Sequence, residues 1–246
     1  MMTCLLAPPL ASGGLLFAFE HSNPAGKLII FILLIASIFS WAVMWTKWVL
    51  VRKARRENAR FMQYFHRAKS PLAVYEKKLQ FDPSPLAAVY YSGAKELCFH
   101  LLGSTTVDDT FAVRLSTASP LDISSINSVR SSMDRAVGEE MLKLESQLIL
   151  LATAVSGSPF LGLLGTVWGV MDAFSGVALA GQASLAAMAP GVSGSLITTV
   201  IALCVAIPSM FGYNYLVNTL RGMTVQMENF AAECSADFEH QYGRRR

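Results

Sequence analysis

Long charge-free runs and short helical stripes divide this chain. Leu28–Trp45 is eighteen residues without a charge, close to the roughly 20 apolar residues a helix needs to cross the hydrocarbon core. From Gln147 to Leu220 the only formal charge is Asp172. That run is long enough for two more spans joined by a tight turn at Gly181-Gln182-Ala183-Ser184. Elsewhere the apolar positions thin to stripes. Ile126, Val129, Met133, Val137, Met141, Leu144 and Leu148 recur at intervals of three or four, which is one face of a helix. Leu216, Leu220, Met223, Met227, Phe230, Cys234 and Phe238 do the same. The first stripe meets no breaker before the second span, so the pattern predicts one long helix running from about Asp122 into the membrane. The third span is predicted to run on in the same way.

The fold predicted is all-α, an integral membrane protein with three transmembrane helices, the second and third extended into a helical cytoplasmic region. Its parts are an outer N-terminal segment (1–26), a first span (27–50), a polar helical region (51–147), a second span (148–179), a short outer turn (180–186), a third span (187–213) and a C-terminal helix (214–246). Leu5–Phe19 is apolar but is interrupted by Pro8, Pro9, Gly13 and Gly14, and the first positive charge is Lys27. It lacks the basic n-region of a secretory signal and reads either as a helix on the membrane surface or as an unstructured apolar tail. Within the polar region, Arg52–Lys69 is charge-rich and ends at Pro71, Pro85–Leu102 reads as a helix stopped by Gly103, and Ser104–Pro120 reads as a loop.

Composition agrees with a membrane protein. Charged residues make up 15% of the chain, where about a quarter is usual for a soluble domain. The net charge of +3 is too small to argue for nucleic acid, and its distribution matters more than its sum. Arg52, Lys53, Arg55, Arg56 and Arg60 follow the first span, against Lys27 and Glu20 before it. The positive-inside rule then puts the N-terminus outside and the C-terminus in the cytoplasm. The same cluster could instead bind anionic membrane lipid, which keeps it on the same side. Trp41, Trp45 and Trp48 fall where an interfacial aromatic belt belongs, and Lys47 is placed to snorkel from there to the headgroups. The four cysteines and four histidines are dispersed, so no metal site or disulfide framework is expected. No nucleophile–base pair or phosphate loop stands out, so neither an enzyme nor a cofactor is expected.

The candidate chemistry lies in the last two spans. The second holds Gly157, Ser158, Pro159, Gly162, Gly165, Thr166 and Gly169. The third holds Gly191, Gly194, Ser195, Thr198, Thr199 and the pair Ala202/Ala206. Small residues at such spacing let helix backbones approach closely, in a conducting pair or in ordinary tight packing. With the turn centred between Gln182 and Ala183, Thr166 and Thr199 lie sixteen and a half positions from it on either side. They then share a depth roughly 25 Å from the turn, expected near the middle of the bilayer. A hydroxyl there either bonds back to its own helix or lines a polar path, and two at matched depth among glycines favour the path. Neither can carry a proton near neutral pH. Asp172 lies about 9 Å further out, at an interface or an entrance vestibule. Any titratable group at mid-depth must then come from another subunit.

SPFLGLLGTVWGVMDAF and MAPGVSGSLITTVIALCVAIPSMFGYN, within Ser158–Asn214, closely resemble the proton-channel family of TolQ, ExbB and the more distant MotA. GLLGTVWGVM and the APG…AIP…YN frame, with Pro190 and Pro208 in it, are specific. SIFSWAVMWTKW and LKLES extend the likeness more weakly. The resemblance implies a homopentamer in the inner membrane around a TolR- or ExbD-like single-span partner, whose intramembrane aspartate carries the proton. It implies a TolA- or TonB-like periplasm-spanning protein beyond that. The family's two threonines facing the aspartate fall on Thr166 and Thr199. Where relatives commonly read APGIAEAL this chain reads APGVSGSL, so Gly194 stands in place of a glutamate, and Asp172 replaces a usually neutral or histidine position. Within the family the short outer segment and the NFAAECSADFEHQ ending look more like the TolQ branch, which implies envelope integrity and cell division. The alternatives are an ExbB-like subunit energising TonB-dependent import and a non-conducting scaffold.

Overall fold

The computed structural model describes residues 18–20, 22–68, 70–108, 110–180 and 185–244, with side chains except at 180 and 185–187. The expected outer segment up to residue 17 and the turn Gly181–Ser184 lie outside the described residues. The described elements are α1 (Pro24–Arg67), α2 (Ala73–Glu76), α3 (Pro85–Leu102), α4 (Phe111–Thr117), α5 (Ile123–Glu145), α6 (Leu148–Ala180) and α7 (Leu185–Tyr242). Among the described residues the only β pairing is an isolated bridge, Leu121 with Gly243. Three helices are long and apolar enough to cross a membrane: Pro24–Arg67, Leu148–Leu179 and Met188–Tyr242. The chain divides into two compact units, Met1–Trp45 with Gln147–Tyr215, and Thr46–Ser146 with Leu216–Arg246.

The first unit holds the apolar runs. α1 starts where Asn23 caps it. The Asn23 Oδ1 accepts from the Gly26 amide at 2.8 Å, and Pro24 occupies the first helical position, where its missing N–H costs nothing. From there α1 runs parallel to α7. Gly26 lies against the Thr198 methyl and Gly212 against Met44, and Ile29 and Leu33 pack with Ala202 and Val205. Much of the remaining apolar surface faces outward, including Phe31, Ile38, Phe39, Phe160, Val167 and Phe174. A contiguous exposed surface of this kind suits lipid or another membrane helix rather than water.

The second unit buries both predicted stripes. Ile126, Val129, Met133, Val137 and Leu144 of α5, and Leu216, Leu220, Met223, Met227, Phe230, Cys234 and Phe238 of α7, are all in its core. Phe61 and Phe65 of α1 meet Phe230 edge-on, with ring centroids 5.4 and 5.2 Å apart. Tyr90 of α3 packs on both phenylalanines, and its buried hydroxyl donates to Pro71 O at 2.6 Å. α3 lies against α5, where Gly93 leaves room for Met133. Gly103, with φ +67°, ends α3 as the sequence predicts, because a residue without Cβ adopts the left-handed cap without strain.

Three expectations are corrected. The segment Ser104–Pro120 is not all loop, since Phe111–Thr117 forms α4 around the buried Phe111. Nor is the second span continuous with the helix before it: α5 stops at Glu145, Ser146 is extended, and Gln147 is left-handed at φ +68°. Of the two spans predicted to extend, the third does, and the helix beyond the first span is the other continuous one. Apolar spacing could not show this break, because Leu144 and Leu148 on either side of it are both buried. Lastly, Lys47 does not snorkel. It is 3% exposed, and its ammonium donates to Leu144 O at 3.0 Å, Ser146 Oγ at 3.0 Å and Lys143 O at 3.4 Å, capping the end of α5.

Candidate functional site: the α6/α7 seam

α6 and α7 meet along a line of small residues. A methyl group placed on Gly162 would come within 2.5 Å of Ala202 Cβ and 3.0 Å of Thr199 Cα; one on Gly165 would come within 2.5 Å of Thr198 Oγ1. Gly169 abuts Ser195, and Gly191 abuts Ala173. Gly162/Ala202, Gly165/Thr198, Gly169/Ser195 and Ala173/Gly191 are each equidistant from position 182 to within one residue, the antiparallel register expected of a hairpin centred there. Glycine at these places permits backbone contact that a Cβ would forbid. Gly157 and Gly176 have open space instead and play no part in the seam.

Close approach brings hydroxyls to main-chain oxygens across the seam. Thr198 is fully buried; its hydroxyl is shared between Ser195 O at 2.7 Å and Gly162 O at 3.1 Å. The Thr199 hydroxyl also donates to Gly162 O, at 3.0 Å. In a regular α-helix that carbonyl is the acceptor of the Thr166 amide as well, so Thr166, Thr198 and Thr199 converge on one peptide group. Thr166 and Thr199 do not bond to each other. The Thr166 hydroxyl turns back to Leu163 O at 2.8 Å, on an exposed edge of α6. Sequence reasoning found the three threonines but missed the Gly162 carbonyl that gathers them, which no side-chain pattern marks.

Asp172 takes a different place. Its Oδ2 accepts from the Asn23 amide at 2.8 Å, while the other end of Asn23 caps α1. The carboxylate therefore tethers the start of the first span to α6. Asn23 was not foreseen, although the Asn-Pro pair before an apolar run is a helix-start signal.

The depth expectation also changes. Gly26, just before the charge-free stretch of α1, lies beside Thr198. Measured along α1, the threonines are level with the Gly26 end of the first span, and the middle of Leu28–Trp45 falls roughly 16 Å further along it. Distance from the turn alone leaves depth open, because the second apolar helix, at 32 residues, spans about 48 Å, longer than the ~30 Å hydrocarbon core.

The profile of the MotA/TolQ/ExbB proton channel family matches residues 103–229, which take in α4, α5, α6 and most of α7. The chain is 33% identical to the Tol-Pal system protein TolQ of Pseudomonas aeruginosa over 191 residues, 76% of each protein. It is 31% identical to the TolQ of Haemophilus influenzae over 209 residues, 84% of this chain and 86% of that one. The biopolymer transport protein ExbB of Pseudomonas putida is 27% identical over 227 residues, 91% of this chain and 64% of that protein. This chain belongs to the MotA/TolQ/ExbB proton channel family.

Gly194 is buried, next in sequence to the buried Ser195. Pro190 and Pro208 lie inside α7 and Pro159 inside α6. Each removes one helical N–H and leaves a main-chain carbonyl one turn earlier without that donor. The site is thus rich in hydroxyls and carbonyls. Along α6 from Leu148 to Ala180, and along α7 as far as Leu220, the only acidic group is Asp172.

Proposed function

We propose that this chain is the channel-forming subunit of an inner-membrane, proton-driven complex of the TolQ type, serving envelope integrity and cell division. It works as a homopentamer with a TolR- or ExbD-like single-span partner that supplies the membrane carboxylate. A TolA- or TonB-like protein receives the motion on the periplasmic side. The observation that carries the reading is the seam itself: the Thr198 and Thr199 hydroxyls gathered on Gly162 O, the Thr166 hydroxyl on the neighbouring Leu163 O, and no acid beside them. Hydroxyls orient and relay protons but do not hold them near neutral pH, so a borrowed carboxylate completes the path. Each proton crossing releases about 2.3 kcal/mol per 100 mV, enough to bias a two-state element if the partner's carboxylate changes its surroundings. The basic cluster after Trp48 supports a cytoplasmic C-terminus and an outer N-terminus.

The test is proton uptake by liposomes holding the chain and its single-span partner. Thr166→Val with Thr199→Val is expected to lower uptake at least tenfold while the complex elutes unchanged on size exclusion. Full uptake by the double variant would sink the proposal. An ExbB-like role in TonB-dependent import is the second reading, favoured by the coverage of 91% of this chain in the Pseudomonas putida ExbB alignment. Rescue of a tolQ-deficient or an exbB-deficient strain separates the two. A non-conducting scaffold, favoured by Gly194 in place of the glutamate, predicts wild-type envelope function from the same double variant.

A further inference from the structure

Asn58 carries a polar group that the fold leaves unserved. The residue is 5% exposed, and its Oδ1 accepts from the Ser84 hydroxyl at 2.6 Å and from the Leu86 amide at 3.3 Å. The Leu86 amide can only donate, so it fixes which end of the carboxamide is oxygen; turned over, the side chain would set N–H against N–H. The Asn58 Nδ2 is then left with no partner among the described residues. A buried donor in that state is unfavourable until something supplies an acceptor.

The surroundings say what kind of acceptor. Asn58 and Leu86 line a groove of about 720 Å³ built from α1, α3 and α7, all within the second unit. Arg55, three residues before Asn58 and so its neighbour on the face of α1, lines the groove as well. Its guanidinium has no ion-pair partner among the described residues. α3, at 18 residues, starts behind its Ser84 cap, so the positive end of its dipole lies at the wall that Leu86 forms. The Leu86 and Ala87 amides are already taken by Asn58 and Ser84, so the helix adds its field and the bonds come from the two side chains. A free carboxamide donor, a free guanidinium and a helix start together favour a negative oxygen.

We propose that this groove binds one phosphate group of a small phosphorylated molecule, its oxygens taking the Asn58 amide and the Arg55 guanidinium. The guanidinium's forked donors match phosphate oxygens. Leu86 and Phe230 offer apolar surface to the rest of the ligand, and Glu233, also lining the groove, opposes a second phosphate. A free phosphomonoester and the glycerophosphate headgroup of a membrane lipid share this chemistry. None of these residues belongs to the α6/α7 seam, so the site stands or falls apart from the channel reading.

The test is equilibrium binding of glycerol 3-phosphate to the full chain in phosphatidylcholine nanodiscs. The wild type is expected to bind it saturably, with a Kd of about 1 mM or tighter. Asn58→Asp keeps an acceptor for Ser84 and Leu86 but turns the free donor into an oxygen, and is expected to abolish binding. Arg55→Gln, at an exposed position, is expected to weaken binding by about tenfold or more. Arg60→Gln removes an exposed cation of the same helix that does not line the groove, and is expected to leave binding within about twofold of the wild type. Repeating the titration with phosphatidylglycerol in the discs separates the two sources. A headgroup seated in the groove competes and weakens binding to the wild type and to Arg60→Gln alike, whereas unchanged binding marks a free ligand. The proposal is overturned if the assembled wild type shows no saturable binding, or if assembled Asn58→Asp or Arg55→Gln binds like the wild type. It is overturned equally if Arg60→Gln loses as much as Arg55→Gln, which would make the effect a diffuse basic surface. Should Asn58→Asp fail to assemble, the comparison of Arg55→Gln with Arg60→Gln decides.

Discussion

Replacing Gly162 by alanine puts one methyl group into the tightest backbone contact of the seam. That methyl would lie 2.5 Å from Ala202 Cβ, 3.0 Å from Thr199 Cα and 3.2 Å from Thr198 O. Two of the three are main-chain atoms and cannot rotate away, so α6 and α7 must separate by about 1 Å to reach ordinary contact distances. Separation on that scale stretches the Thr198 and Thr199 bonds to Gly162 O, now 3.1 and 3.0 Å, past hydrogen-bonding range. Overpacking costs about 1–3 kcal/mol, and interhelical hydrogen bonds in membranes contribute about 0.6 kcal/mol each. The sum is a loss of about 2–4 kcal/mol of hairpin stability. Disulfide formation between cysteines at Ala173 and Gly191, which face each other in the same seam, reads the effect, together with thermal unfolding in nanodiscs. Gly157→Ala and Gly176→Ala are the controls. They meet nothing within 4 Å and should be neutral or stabilising by up to ~1 kcal/mol, the helix propensity gain. If Gly162→Ala cross-links and melts like these controls, the seam is not the backbone contact described and the argument built on it fails.

Other outcomes follow from the same contacts. Thr198→Val removes a fully buried hydroxyl that bridges the two helices, so it should lower the melting temperature and cross-linking together, by about 1–2 kcal/mol, unlike Thr166→Val, which should leave both unchanged. Asn23→Ala removes the cap of α1 and the Asp172 tether and should cost about 1 kcal/mol, whereas Asp172→Asn keeps an acceptor for Asn23 and should change melting by less than ~0.5 kcal/mol. Asp122 caps α5 with its carboxylate held below the usual range by the Ser124 hydroxyl, then by the Ile123 amide, with Arg244 nearby. A depressed folded pKa means the cap's contribution is complete above the unfolded value of about 3.9 and fades as pH falls through the lower folded value. Amide exchange at Ile126, corrected for intrinsic rate, should therefore quicken as pH falls below about 4, and Asp122→Asn should flatten that change.

The spans and both apolar stripes outside them were legible because burial of apolar surface repeats with the helical period, and that period is written in residue types. The hairpin register was legible too, since small residues in α6 and α7 fall at matching distances from a turn. Three features were not. The break at Ser146–Gln147 depends on Lys47, about a hundred positions away, and cap donors supplied from another helix leave no local mark. The Gly162 carbonyl that collects three threonines is a main-chain group and has no letter of its own. Depth is not fixed by distance from the turn. The apolar run of α6 is longer than a bilayer is thick, so it fixes the order of residues along the membrane normal but not their zero. The Gly26–Thr198 contact supplies that zero from α1.

The three threonines differ in how firmly each proton is already committed. A hydroxyl has one proton to donate and two lone pairs to offer. Thr198 is sealed: its proton lies between Ser195 O and Gly162 O, and the side chain has no exposed surface. Thr199 is half-buried and its proton reaches across the seam, so releasing it loosens contact between the helices. Thr166 only bonds back within its own helix, to Leu163 O on an exposed edge. Leu163 O keeps the helical amide of Val167 as a donor, so moving the Thr166 proton to an incoming carboxylate leaves no buried acceptor unserved and breaks no link across the seam. In the proposed complex a partner's carboxylate would therefore engage Thr166 first and would reach Thr199 only with some opening of the helices. Thr198 is excluded, although it lies at the same depth and carries the same chemical group.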